Sequence, residues 1–290
     1  LANAPIAKVM KLWQGLGYYS RARNLHYTAR YIMKELKGKF PEDYNQLKGL
    51  KGVGEYTAAA IASFAYNKSY PAIDGNVTRV ISRIFGIKGA VELAVTKKQI
   101  SSIIKDLIPK TQPGVFNQAM MEFGAVQCTP KNPDCGVCCF IETCYAFRYK
   151  LVDALPEKKP AVKTKNRYFN YLVITIGNGE KERIYLRKRT GNDIWKALYD
   201  FPAIESKRNL NPQKIIASDE WKKIFGRNKI VVGTISPVIK HVLTHQIIFA
   251  RFFSIKLNVE FAVKLPDVKL IYRKNIDKYA IPRLIDRYLH

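Results

Sequence analysis

Five cysteines occur in 290 residues, and all of them fall between Cys128 and Cys144. Cys128, Cys135, Cys138 and Cys144 are separated by six, two and five residues. Thiolates this close in sequence can fold around one inorganic core, because the chain needs only tight loops between ligands. Tetrahedral zinc and a 4Fe-4S cluster both accept four thiolates. Zinc sites usually pair two short Cys-x-x-Cys units, and one occurs here, so the uneven spacing tilts the balance to iron–sulfur. Cys139 is expected to stand outside, since adjacent cysteines rarely both reach one metal. Disulfide scaffolds spread their cysteines, whereas this packing points to a metal centre in a reducing compartment. Chance clustering of structural cysteines is the bland alternative.

A second arrangement is Leu47-Lys48-Gly49-Leu50-Lys51-Gly52-Val53-Gly54-Glu55-Tyr56, a Gly-Val-Gly turn before a helical pattern. Gly52 and Gly54 permit a turn with φ > 0 and let the backbone, with Val53 between them, approach a ligand closely. The free amides of the following helix start point at an anion. The same pattern also serves as a mere connector. Asp74 precedes Gly-Asn-Val-Thr-Arg-Val, a good N-cap position and also a placed carboxylate.

Residues 1–150 carry these groups on helices. Apolar positions recur at three-to-four spacing in 7–13 and 25–36, with glycine breaks at Gly15–Gly17, Gly49–Gly54 and Gly86–Gly89. Residues 151–167 are rich in Pro and Lys with little to bury, and read as an interdomain linker. From 168 to 290 the texture is β-rich, with strands over 168–176, 183–189 and 246–257 and a helix over 219–225, which is an α+β domain. Lys and Arg number 49 against 23 acidic residues, a formal charge of +26. That balance favours a polyanionic partner, nucleic acid or an acidic surface. No run of 18 apolar residues exists, so no membrane partner is expected.

Taken in order, Leu16–Leu25, Gly52–Ala58, Asp74–Val77 and Phe116–Gly124 resemble the blocks of adenine-DNA glycosylases, within the endonuclease III superfamily of helix-hairpin-helix enzymes. The cysteine spacing resembles that superfamily's 4Fe-4S loop (128–144). The resemblance implies an all-α helix-hairpin-helix glycosylase domain at 1–150 joined to a Nudix-like α+β domain at 168–290. It implies hydrolysis of adenine from duplex DNA where adenine faces 8-oxoguanine or guanine, leaving an abasic site. Breaking that bond develops oxocarbenium character, which a nearby carboxylate stabilises or attacks. Asp74 matches the family's catalytic aspartate, with Tyr56 and Asn76 positioning it and the sugar. Glu122 would contact the flipped adenine and Tyr18 would wedge into the duplex, offsetting lost stacking. A cation on the hairpin carbonyls near Leu50 and Val53 also fits the family.

One position separates relatives. Bifunctional members carry a lysine two residues beyond the Gly-Val-Gly, and here Tyr56 stands there, which forms no Schiff base. An endonuclease III-like pyrimidine glycosylase with lyase activity is therefore the enzymatic alternative, disfavoured at this residue. In the second domain, Trp195-Lys196-Ala197-Leu198-Tyr199-Asp200-Phe201-Pro202 resembles the recognition domain's block, and the hydrolase's metal-ligand signature is absent. Leu243, Thr244 and His245 resemble its Phe-Ser-His loop for 8-oxoguanine, with departures at the first two. The family's base-protonating glutamate lies upstream of Leu1, and Glu35 and Glu42 sit in no matching motif. The chain is therefore expected to be N-terminally truncated and to excise poorly, and a non-catalytic DNA-binding fragment is the reading from another class. It is expected to be a cytoplasmic monomer, associated with the nucleoid through DNA.

Overall fold

A computed structural model describes residues 1–290 apart from 161–163, 227, 229 and 258–265. The helices run in chain order as α1 (Ile6–Leu12), α2 (Tyr19–Glu35), α3 (Tyr44–Gly49), α4 (Glu55–Tyr66), α5 (Gly75–Phe85), α6 (Ala94–Leu107), α7 (Pro113–Glu122) and α8 (Tyr145–Arg148). The strands are β1 (Lys165–Ile176), β2 (Arg183–Lys188), β3 (Tyr199–Asp200), β4 (Ala203–Ser206), β5 (Val232–Ile235), β6 (Ile239–Val242), β7 (Gln246–Leu257) and β8 (Val268–Tyr272). Helices α9 (Pro212–Ile216) and α10 (Asp219–Phe225) follow β4, and α11 (Arg283–Leu289) closes the chain. Two compact units result, Tyr31–Ala161 and Leu1–Arg30 with Val162–His290.

The helical unit is built on short, well-capped helices. Asp43 starts α3 by accepting the N–H groups of Asn45 and Gln46 at 2.9 and 3.0 Å, which satisfies two donors that have no partner inside the helix. The alanine run of α4 puts Ala58 and Ala62 in a core with Ile32, Leu47 and Leu50, small side chains that let α3 and α4 approach closely. Along α5, Val77 and Ile81 meet Ile100 and Ile104 of α6 in a second core. Burying each of these isoleucines stabilises the fold by about 1.5–3 kcal/mol. Between α3 and α4, Gly52 has φ 86°, a conformation that a side chain would strain, so the turn depends on it.

The second unit is a mixed sheet of eight strands among the described residues, ordered β3-β2-β1-β7-β5 along its main path. β1 and β7 pair in parallel from Lys165↔Gln246 to Ile176↔Leu257, the long central pair. Successive side chains of a strand point to opposite faces. Phe169, Tyr171 and Val173 accordingly enter one core, and Leu172, Ile174 and Ile176 enter another. Trp221, Ile224 and Phe225 of α10 cover the second face. Leu284 and Ile285 of α11 cover the first, together with Val9 and Met10 of α1. A sheet covered on both faces explains why β1 reads as a near-continuous apolar run.

The two units divide the chain differently from the sequence partition at 150 and 168. Leu1–Arg30 clusters with the sheet, because the apolar face of α1 finds its complement there; amphipathic spacing marks such a face without saying what covers it. The stretch read as linker is structured at both ends. Leu155 is buried and its carbonyl accepts Arg83 Nε at 3.0 Å, and the first strand begins at Lys165.

Candidate active site and nucleic-acid interface

Asp74 stands at the N-terminus of α5, where its Oδ1 accepts the Val77 N–H at 2.8 Å and its Oδ2 accepts Asn76 Nδ2 at 3.3 Å. The capping role is therefore real, and it orients the carboxylate. Helix α5 places the carboxylate because Asn117, buried in α7, holds the strand of chain before it. Asn117 Oδ1 accepts the Ala72 N–H at 3.0 Å, and its Nδ2 donates to Ser63 Oγ and to the Tyr70 carbonyl, both at 2.9 Å. Asp74 is half-buried on the wall of a cavity of about 1140 Å³ that Tyr44, Glu55, Tyr56, Asn76 and Lys105 also line. Tyr56 shares that cavity, with its hydroxyl donating to Met121 Sδ at 3.3 Å.

Cationic and anionic groups both line the cavity, Lys48, Lys97, Lys105, Arg79 and Arg83 with Glu55, Asp153 and Glu157 among them. Glu55 accepts a 2.7 Å hydrogen bond from Lys48, which holds its carboxyl below the usual carboxylate range. An ionised carboxylate of this kind is a poor proton donor. Glu122 lies elsewhere. It is exposed, accepts Gln118 Nε2 at 2.7 Å, and lines a separate groove with Ser63, Asn67 and Gln112.

From Asn76 a chain of contacts runs to the cysteines. Arg79, buried in α5, donates through Nη2 to Asn76 Oδ1 at 2.9 Å and through Nε to the Cys128 carbonyl at 2.7 Å. One helical turn on, Arg83 is 3% exposed and serves the Thr129 and Pro130 carbonyls and Cys128 Sγ. These two arginines tie α5 to the cysteine loop, and sequence reasoning missed them. Their only signal is a pair of arginines spaced i, i+4 among Val77, Val80 and Ile81.

Cys128, Cys135, Cys138 and Cys144 are half-buried, and Cys139 is exposed. Burial pushes the Cys135 thiol up, and Cys128, Cys138 and Cys144 push it further, while Arg83 opposes them. Burial likewise raises the Cys138 thiol, with Cys139, Cys128 and Cys144 adding to the shift. The four thiols thus share one electrostatic neighbourhood. Among the described residues, no three His, Cys, Asp or Glu side chains converge on the position of a single ion. Four thiolates are a donor set that both a 4Fe-4S core and a tetrahedral zinc ion accept.

The hairpin Leu50–Gly54 leads into α4, whose N-cap Gly54 supplies no side-chain acceptor. The Leu50 carbonyl accepts the Val53 N–H at 3.0 Å, closing the turn. In the sheet unit, Leu243, Thr244 and His245 form the tip between β6 and β7, tightened by the Leu243 N–H on the Gln246 carbonyl at 2.8 Å. Tyr18 is 68% exposed, has φ 45°, and its hydroxyl lies 3.5 Å from Thr244 Oγ1. The candidate wedge and the candidate lesion-reading loop, distant in sequence, are therefore neighbours. A further cavity of about 300 Å³ in this unit is lined by Arg187, Arg189, Asp193 and Glu205, whose charges pair internally through Arg167 and Asp200.

Residues 1–110 match the family model described as HhH-GPD superfamily base excision DNA repair protein, and residues 172–290 match the NUDIX domain model. The adenine DNA glycosylase of Buchnera aphidicola subsp. Acyrthosiphon pisum (strain APS) is 32% identical over 100% of this chain and 79% of its own length. The chain belongs to the adenine DNA glycosylase family. The adenine DNA glycosylase of Buchnera aphidicola subsp. Schizaphis graminum (strain Sg) is 35% identical over 79% of the chain, which spans 62% of that relative's length. A solved thermostable thymine-DNA glycosylase shares 30% identity over 51% of this chain and 68% of its own, at a TM-score of 0.47.

Membership gives the parts their names. A helix-hairpin-helix glycosylase domain precedes a Nudix-like domain in this adenine DNA glycosylase family chain. The HhH-GPD match runs through α1 and α2, so the repair domain by sequence includes residues that pack on the sheet. No helix among the described residues is long and apolar enough to cross a membrane.

Proposed function

We propose that this protein removes adenine from duplex DNA where adenine faces 8-oxoguanine or guanine, as a monomer, by hydrolysis without strand cleavage. The observation that carries the reading is the Asp74 carboxylate, fixed by Asn76 and the α5 amide on a cavity wall where Tyr56 stands in place of an amine. As the glycosidic bond breaks, positive charge develops on the sugar, and a preoriented carboxylate stabilises it most where water is excluded. Tyr56 offers a hydroxyl and no nucleophilic amine, which supports release of the base with the sugar–phosphate strand intact.

Duplex phosphate is gripped by the amides of Gly52–Gly54 and the start of α4, contacts that position without reading sequence. A cation on the hairpin carbonyls fits the same turn. Tyr18 supports the gap that the flipped adenine leaves. Thr244, beside Tyr18, and His245 supply polar groups that distinguish 8-oxoguanine from guanine. Cys128, Cys135, Cys138 and Cys144 would hold a 4Fe-4S cluster, which supplies a rigid anchor for residues 128–144 against α5. The mutual influence of the four cysteines on the Cys135 and Cys138 thiols and the buried Arg83 beside Cys128 Sγ support that assignment. A reducing compartment and a DNA-rich setting follow from these parts.

The test is single-turnover excision from duplexes carrying one adenine opposite 8-oxoguanine, guanine or thymine, run with the whole gene product. Adenine release opposite 8-oxoguanine and guanine, with no adduct trapped by borohydride, is the expected result. Release of a damaged pyrimidine with a trapped adduct would overturn the reading in favour of a lyase, and binding without any release would leave a DNA-binding module.

A further inference from the structure

We propose that Gly124 is a positioning residue for the Asp74 carboxylate, acting through Asn76, whose place it keeps free. The inference rests on the reading of Asp74 as the group that faces the sugar.

After α7 the chain widens into a π-helical turn over Phe123–Gln127, closed by the Cys128 N–H on the Phe123 carbonyl at 2.8 Å. Such a turn carries an extra residue relative to an α-helix and tends to occur at functional positions. Here it presses Gly124, which is buried, against the first turn of α5. A Cβ on Gly124 would lie 2.7 Å from Asn76 Cβ and 3.0 Å from both the carbonyl carbon and oxygen of Asn76. The opposing atoms are backbone and Cβ, so rotation of a flexible side chain cannot relieve the overlap. The residues with φ > 0 do not include Gly124, so conformational freedom does not account for a glycine here. Close approach does.

Asn76 has little room to yield. Its Oδ1 accepts Arg79 Nη2 at 2.9 Å and its Nδ2 donates to Asp74 Oδ2 at 3.3 Å, the one amide orientation that serves both a guanidinium and a carboxylate. The Gly124 carbonyl accepts the same Arg79 Nη2. A methyl at position 124 must therefore push Asn76 off the carboxylate, off Arg79, or both. A displacement of about 1 Å in a reacting group costs on the order of 100-fold in rate.

Gly124→Ala is compared with Gly191→Ala, where an added Cβ meets no atom within 4 Å. In the whole gene product Gly124→Ala is expected to slow adenine excision on the order of 100-fold, while affinity for an uncleavable duplex and visible absorption match wild type. Gly191→Ala should match wild type throughout. In a double-mutant cycle, Gly124→Ala added to Asn76→Ala should cost no more than about twofold, because the amide it displaces is gone. Full additivity of the two losses, or parallel losses of rate and affinity, would overturn the proposal. The Asn76 side-chain amide signals, assigned by their disappearance in Asn76→Ala, give a readout independent of catalysis. They should move in Gly124→Ala, and unmoved signals would also overturn it. Should wild type show no excision, the reading of Asp74 falls while the amide signals still decide the Gly124–Asn76 contact. If Gly124→Ala lowers the thermal midpoint, it should do so less when added to Asn76→Gly, which removes the 2.7 Å Cβ overlap and leaves the two 3.0 Å carbonyl ones; an equal loss in both backgrounds counts against the Cβ contact.

Discussion

Replacing Asp74 by Asn and by Ala separates the two roles that one carboxylate holds. Asp74 Oδ1 caps α5 through the Val77 N–H at 2.8 Å, and asparagine caps equally well with its amide oxygen. Asp74→Asn therefore keeps the cap but loses the favourable charge at a helix N-terminus, roughly 0.3–1 kcal/mol, and the 3.3 Å bond that Oδ2 accepts from Asn76 Nδ2, which Asp74→Ala loses too. Asp74→Ala loses the cap as well, about 1 kcal/mol more, or some 2–4 °C in the melting of a unit this size. Chemistry treats the two variants alike. Neither offers negative charge to the developing oxocarbenium ion, and loss of one preorganised electrostatic group costs about 10²–10³ in rate. The expected pattern is thus two equal losses of single-turnover excision beside two unequal losses of stability in a denaturant titration. Excision by Asp74→Asn within about tenfold of wild type would refute the catalytic assignment, since that is far less than the electrostatic loss. Equal destabilisation by Asn and Ala would refute the capping half.

Further outcomes follow from the same geometry. Cys138→Ser should lose iron and visible absorption, whereas Cys139→Ser, at an exposed thiol, should keep both; the reverse would remove Cys138 from the ligand set. Arg83→Met leaves the Leu155, Thr129 and Pro130 carbonyls without their donor and should cost roughly 2–5 kcal/mol, read by denaturation. Burial, followed by Arg287 and Arg283, lowers the His241 imidazole below its ordinary value. The unfolded chain then binds the proton more readily than the folded one, so this contribution to the sheet unit's stability is intact above the ordinary imidazole range. It is lost as pH falls from there through the folded value. His241→Gln should flatten that acid limb, and an unchanged limb would exclude His241 as its source.

Much of the geometry around the candidate groups was legible in the sequence because it is local. The cysteine spacing, the Gly-Val-Gly turn and the Asp74 cap each lie within a short stretch, where backbone geometry alone brings the groups together. Helix α10 and strands β1 and β7 were legible for the same reason, as period and capping act between neighbours. Glu122 shows the limit of such reading. Its motif matched, yet in the structure it accepts from Gln118 and lines a groove separate from the cavity that Asp74 lines.

What tertiary structure alone decided is which distant groups meet. The face of α1 was visible as apolar, but its burial with Phe169 and Leu284 depends on a surface far along the chain. The meeting of Tyr18 with Thr244 spans 226 residues. Arg79 and Arg83 looked like ordinary helix arginines until the fold gave them buried carbonyls of the cysteine loop to serve. Gly124 needed its neighbour to be seen at all. Short-range order is set by steric and hydrogen-bonding rules that each residue carries with it, whereas long-range contact is set by how whole faces pack, and no single stretch of sequence holds both sides of a contact.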